Sequence, residues 1–420
     1  MIQLFVASAL VIALTAGGGL GAWLLLSRTM GLPVFGLEWL VLVQVHGVMQ
    51  LFGFAGLFMM GVGLFVLPRF RGAVGIGKPL VLAIYLPTVL GLVGRAMAQP
   101  FATLPGRELV LVASAGALVF GTTLYAIVAL RLLRSGRNPH RPDEIVIGIG
   151  VCGLPLAAAL AGLGVVGAPL LVHPNASARM EWLMLLGGLA TTIFGVWARL
   201  APAFTASLPV RYRPLFAGLA LWLAGIVSLF LDFAIASWLL LVGQVLITTA
   251  LGVFARSIAR QPLAGHARIT RLAVRSAFGW ALIGAVILVA IALGALPSGY
   301  LVVSAARHAF ALGFVTLMIY GVASRAVPTF LDRPLGSPRL VLVAIVLTNI
   351  AVALRVGLQA LGGTDTLTNA MVGISGLVAY TGLVAFAASL ARTFRTPVLR
   401  RPTAAATPMQ VRFESSRTPR

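Results

Sequence analysis

Apolar residues run through this chain in long blocks, and short arginine-rich stretches separate them. Twelve blocks occur, at about 3–27, 38–67, 79–98, 108–133, 144–167, 179–203, 214–231, 235–255, 272–295, 300–327, 339–361 and 368–391. Each is near or above the ~20 residues an α-helix needs to cross a bilayer core. Backbone polar groups in lipid are satisfied only within helices or closed barrels, so unbroken apolar runs of this length read as helices. The pattern predicts an all-α, polytopic transmembrane bundle of about twelve helices. Runs two and ten are long, which predicts tilt or projection from the bilayer. The first run, from Leu4 to Leu26, lacks a preceding basic region and reads as a retained helix, not a cleaved signal. The chain divides into a twelve-span domain, 1–392, and a basic tail, 393–420. The tail is rich in Pro, Thr and Arg and is expected to be disordered and cytoplasmic.

Charge refines this picture. There are 31 Lys+Arg against 9 Asp+Glu, a net charge of +22. Such an excess could signal nucleic acid, but the basic residues sit in short loops between apolar runs, so the partner they fit is the lipid bilayer. Arg69, Arg71 and Lys78 follow run two, Arg131 to Arg141 follow run four, and Arg211 and Arg213 follow run six. Arg256 to Arg275 follow run eight, Arg333 and Arg339 follow run ten, and Arg392 to Arg401 follow run twelve. The alternate loops carry few. The even-numbered exits are thus assigned to the cytoplasm, with both termini inside. The single cysteine, Cys152, excludes an internal disulfide and a thiolate cluster.

The chain also repeats itself. Leu186–Phe204 (LGGLATTIFGVWARLAPAF) and Leu312–Phe330 (LGFVTLMIYGVASRAVPTF) share eight residues at an offset of 126, including Arg199/Arg325, Pro202/Pro328 and Phe204/Phe330. An earlier copy lies in run two, where Gly53, Gly61, Pro68 and Phe70 match Gly313, Gly321, Pro328 and Phe330 at an offset of 260. The period is four runs. Runs two, six and ten are then equivalent members of three parallel four-helix repeats. Parallel repeats argue against the inverted repeats of many secondary transporters.

Of five histidines, only His46 and His308 fall deep within apolar runs. An intramembrane imidazole is costly and marks a site by default. Two at similar depth on runs two and ten could bind one metal or haem iron, or each could be a neutral core histidine bonded to a neighbouring helix. The ungapped repeat pairs His308 with Val48, two residues from His46. Two helical residues differ by ~200° about the axis, so the histidines use nearly opposite faces of equivalent helices. A ligand shared between neighbouring repeats requires that. Arg95 (LVGRAMAQP) and Arg355 (VALRVGLQA) lie late in runs three and eleven, and Arg307 precedes His308. These guanidiniums suit a ligand's carboxylates, such as haem propionates, or they snorkel to headgroups. Methionines such as Met59, Met97 and Met318 read as packing, and copper is not expected.

The three parallel repeats with histidines in runs two and ten resemble subunit I of haem-copper oxidases. The segment His46-Gly-Val-Met-Gln-Leu-Phe is similar to that family's His-Gly-x-x-Met-x-Phe stretch. The copper-site histidines of runs six and seven are missing here. A closer resemblance is to the NnrS family, twelve-span haem proteins of bacterial inner membranes linked to nitric oxide stress. It rests on His46–Phe54 (HGVMQLFGF), Arg199–Thr205 (RLAPAFT), His308–Gly313 (HAFALG) and Ser324–Leu335 (SRAVPTFLDRPL). The chain departs from the family where His46-Gly-Val48-Met49 replaces His-x-His-Glu and Pro328-Thr329 replaces Gly-His, so no copper site is carried over. The resemblance implies a bis-histidine haem b held by His46 and His308, with Arg95, Arg355 and Arg307 around its propionates. It implies a role in nitrosative defence or membrane redox chemistry, with a redox partner or a small gas ligand. Six-coordinate iron favours electron transfer, since gas binding needs one histidine to leave. The alternative is a polytopic transporter or assembly factor with structural histidines.

Overall fold

In a computed structural model the chain is described over residues 2–398, apart from 33, 35, 166–170, 256–264 and 363–364. Twelve membrane-type helices are present among the described residues. They are α1 (Ile2–Met30), α2 (Trp39–Arg71), α3 (Lys78–Ala98), α4 (Arg107–Arg134), α5 (Asp143–Val165) and α6 (Pro174–Thr205). They continue with α7 (Tyr212–Ser228), α8 (Phe233–Ala250), α9 (Gly265–Ala292), α10 (Tyr300–Leu331), α11 (Pro338–Ala360) and α12 (Thr366–Arg395). Eleven are long and apolar enough to cross a bilayer, and α7 is a shorter apolar helix. Helix α12 runs three residues into the expected tail, while 399–420, with Arg256 and Arg260, lie outside the described residues.

The helices form two shells. In α2, α6 and α10, 78%, 72% and 72% of the most apolar stretch is buried, against 33–56% in the other spanning helices. These three are the centre, and the other nine surround them. Consecutive helices pair alike in each repeat: α3 with α4, α7 with α8, and α11 with α12. Units meet alike too, through α4–α5, α8–α9 and α12–α1, so the last helix closes the ring onto the first. Small residues make these contacts possible. A Cβ on Gly153 would sit 2.6 Å from the backbone of Gly187, and one on Gly91 would sit 2.6 Å from the Ser114 carbonyl oxygen.

Three local features recur once per repeat. Each inner helix contains a π-helical turn, at Met49–Gly56, Leu183–Ala190 and Ala309–Thr316, the three starting at offsets of 134 and 260. A π turn inserts one residue and shifts every later side chain around the helix. The three turns touch one another at the bundle centre. Each inner helix also ends in a left-handed residue: Gly72 (φ 60°), Ala206 (φ 46°) and Asp332 (φ 49°). That conformation closes the helix end, and glycine adopts it without steric cost.

The third feature is a ring at the basic end. Arg199 stacks 5.2 Å from the Phe70 ring and donates to the Phe70 carbonyl at 3.0 Å. Arg325 stacks 4.7 Å from Phe204 and donates to its carbonyl. Phe65, at the equivalent place in repeat one, lies 4.5 Å from Phe330. Each repeat thus clasps its neighbour. Beside the ring, the fully buried Asp143 receives Tyr212 at 2.7 Å and Arg141 at 3.1 Å, and Glu144 pairs with Arg71 at 3.5 Å. His140 bridges Arg71 and Glu144, and His173 accepts from Asn175 at the start of α6. Asp232 caps α8, accepting from Ala234 and Ile235.

Candidate functional site

His46 lies two turns into α2 and His308 two turns into α10, both on the side of the π turns away from the basic ring. Both line one cavity of about 180 Å³, walled by α1, α2, α6, α10, α11 and α12. The two-residue slip between the histidines matters here. The strict equivalents of His308 are Val48 and Trp182, and those of His46 are Met180 and Ala306. Both rings nevertheless face the same space because it lies between repeats one and three.

Each ring is oriented by its Nδ1. The His46 Nδ1–H donates to the Gly17 carbonyl at 2.8 Å. That carbonyl is available because Gly17 leaves helical geometry (φ −85°, ψ −109°) at a break in α1. Gly21, one turn on, lies against the imidazole, and a Cβ there would come within 2.4 Å of the ring. The His308 Nδ1–H donates to the Ser304 carbonyl at 2.7 Å, with the Ser304 hydroxyl 3.3 Å away. A carbonyl only accepts, so both Nδ1 atoms carry the proton. Each Nε2 is left with a lone pair, the form in which a histidine ligates a metal.

Charges gather on the far wall from the π turns. Arg28, Arg307 and Arg355 line the cavity, with Glu181 the acidic residue among them. Arg307 is ion-paired to Glu181, which Ser177 also bonds at 3.3 Å. Arg307 and Glu181 occupy equivalent places in repeats three and two, and Gly47 takes that place in repeat one. An added Cβ on Gly47 would lie 3.1 Å from the Glu181 carboxylate, so the three positions converge. Arg355 has no compensating anion among the described residues, and its buried Nε has no hydrogen-bond partner. The side-chain carbonyl oxygens of Gln359, on this wall, and of Gln50, in the first π turn, are likewise unpaired.

Arg95 is elsewhere. It is buried at the equivalent point of repeat one, and it donates to Gln99 at 3.0 Å and to the Ala161 carbonyl at 3.1 Å. Gln99 in turn donates to Gln44 at 3.1 Å, and Gln44 holds Val172 through both backbone groups. The structure brings His46, His308, Arg307 and Arg355 to one cavity and does not bring Arg95 there. Sequence reasoning missed Arg28, Glu181 and the two glutamines. The repeat alignment could have found Glu181, since it pairs a carboxylate with Arg307 at equal depth.

A family model described as "NnrS protein" matches residues 3–401. No curated protein matches the chain significantly. Among solved structures, the chain is similar to one titled "Cryo-EM structure of a heme-copper terminal oxidase dimer provides insights into its catalytic mechanism". The identity is 12% and the TM-score 0.66, over 96% of this chain and 85% of that one, so the likeness is one of fold.

Proposed function

Since the chain belongs to the NnrS family, we propose that His46 and His308 hold one haem, of b type, in the cavity between repeats one and three. The observation that carries the reading is the pair of Nε2 lone pairs on one cavity, each set by a backbone bond to Nδ1. The unpaired Arg355 Nε supports it, because a buried guanidinium without an anion is costly and a propionate removes that cost. A haem held there by two imidazoles would supply one-electron chemistry.

The chain's own residues do the rest. Gly21 leaves room for the His46 ring, and the Gly17 carbonyl fixes its direction. Ser304 does the same for His308 from within its own helix. Arg28, over the Trp39 ring, and Arg355 offer two guanidiniums without a carboxylate partner among the described residues, which matches two propionates, while Glu181 occupies Arg307. Leu24, Leu25, Val43, Leu301 and Leu312 make an apolar wall that keeps water from the ring faces. The placement proposed is the bacterial inner membrane, with both termini cytoplasmic, the cavity toward the outer face, and a redox or nitrosative-stress role.

The test is an absorbance spectrum of the purified protein, with variants. His46→Ala and His308→Ala are each expected to remove or shift the Soret band while the protein still inserts and stays monodisperse. A haem-free wild-type protein, or an unchanged band in both variants, would instead favour structural histidines in a transporter or assembly factor.

A further inference from the structure

A second cavity, of about 90 Å³, lies among the three inner helices on the basic-end side of the π turns. Its walls follow the repeat. Val62, Val196 and Val322 line it, and they are one position at offsets of 134 and 260. So do Met59, Ile193 and Ile319, one layer above. Above these come Ala55, Leu189 and Val315, again a single position in three copies. A space lined by the same position of every repeat lies on the pseudo-threefold axis. It is not a surface cleft.

Three observations define what it can hold. First, the walls are almost wholly apolar. The Thr192 hydroxyl points at Gly150, where a Cβ would lie 2.5 Å from it. The Tyr125 hydroxyl points at Gly63 in the same way, at 2.3 Å. Two polar atoms of lining residues, the Thr192 Oγ1 and the Trp197 Nε1, are buried without a hydrogen-bond partner, which is the fewest that a buried water needs. Second, the chamber lies inside the circle of outer helices, with the Arg199–Phe70, Arg325–Phe204 and Phe65–Phe330 ring toward its basic end. Walls without a charged side chain leave a charged solute unpaired there. Third, the size is small. An apolar cavity of ~150 Å³ stays dry and takes benzene or xenon, so about 90 Å³ suits something smaller than benzene.

We propose that this axial chamber is a binding site for a small, uncharged, apolar molecule of the dimensions of a dissolved diatomic gas. Such molecules concentrate in hydrocarbon, and the chamber gives them dispersion contacts on every side. The layer just above it, Leu51, Leu185 and Ala311, lines the histidine cavity. The two spaces are neighbours that overlap in depth, since Tyr320 lines the histidine cavity while the adjoining Ile319 lines the chamber. Chamber binding does not depend on the haem reading. It requires only the axial geometry.

Xenon is the probe. Purified full-length protein under xenon pressure is expected to show one saturable site by ¹²⁹Xe NMR. In xenon-pressurised crystals the anomalous density is expected among Met59, Val62 and Val322. Val322→Phe and Val62→Phe fill the chamber from different repeats, and each is expected to abolish the saturable signal. Leu163→Phe, on an exposed face of α5, is expected to leave it intact. If one filling variant fails to insert, the other carries the comparison, and the wild-type measurement stands by itself. Absence of a saturable wild-type site, ordered water or acyl density in the chamber, or persistence of the signal in a well-folded filled variant would overturn the proposal. None of these outcomes depends on haem content, so they are separable from failure of the histidine assignment.

Discussion

Arg95 and Arg355 occupy equivalent places in repeats one and three, each four residues before a glutamine, yet their surroundings differ. In repeat one, Gln44 projects from α2 and completes a chain through Gln99 to Arg95, so the protein satisfies its own guanidinium. The position equivalent to Gln44 in α10 is Ser304, which is turned to His308. Arg355 and Gln359 are left open toward the cavity. The sequence made the two arginines look alike because it displays helix position and not what fills the space opposite. From this contrast, Arg355→Leu is expected to lower haem content severalfold, since a charge-assisted bond is worth roughly 1.5–3 kcal/mol. Arg355→Lys is expected to retain part of it. Arg95→Leu is expected to lower thermal stability and leave the haem-to-protein ratio of the folded fraction unchanged. Equal loss of haem in both leucine variants, measured by pyridine haemochrome, would count against a special role for Arg355.

At the scale of elements, the apolar runs located all twelve helices, with boundaries mostly within a few residues of those observed. The largest differences are at helix starts. Helix α6 begins at Pro174 and α9 at Gly265, each some residues before its apolar run, because polar turns extend both helices beyond the hydrophobic stretch. The π turns were not legible, because one inserted residue leaves an all-apolar segment looking the same. Nor was the break at Gly17, although the run Gly17-Gly18-Gly19 marks where a helix can be interrupted. Two substitutions test these local devices. Gly21→Ala puts a methyl group 2.4 Å from the His46 ring, so the imidazole must move. Overpacking of this kind costs about 1–3 kcal/mol, and a shifted Soret band is expected with it. Ala206→Gly acts at the other end of the inner helices. Ala206 holds φ at 46°, where repeat one has Gly72. Relief of the left-handed cost, less the added chain entropy, is expected to stabilise the protein by about 1 kcal/mol. Thermal unfolding followed by tryptophan fluorescence would show this as a raised midpoint, and a lowered one would mean that the alanine methyl group contributes packing.

At the scale of the whole molecule, the repeat seen in three short segments turns out to organise everything: two shells, a ring closed by α12 against α1, and two cavities stacked beside one axis. The symmetry is broken where chemistry gathers. Position 47/181/307 is Gly, Glu and Arg, and among the described residues only the space between repeats one and three holds two imidazoles. A closed parallel ring also fixes topology, because all three inner helices must run the same way through the membrane. Their shared end carries the Arg199 and Arg325 clasp and the Arg71–Glu144 pair, and the basic loops follow it. By the preference of Lys and Arg in short loops for the inner side, that end is expected in the cytoplasm. A reporter fused after Arg420 is therefore expected to be active only in its cytoplasmic form. A truncation fused after Leu104, between α3 and α4, is expected to be active only in its periplasmic form. With an odd helix count on one side and an even count on the other, the two fusions must disagree. Periplasmic activity after Arg420 would invert the bundle and move the histidine cavity to the cytoplasmic half of the bilayer. An outward-facing cavity predicts, in addition, that a membrane-impermeant guanidinium reagent applied to right-side-out vesicles modifies Arg28 before any arginine of the basic ring.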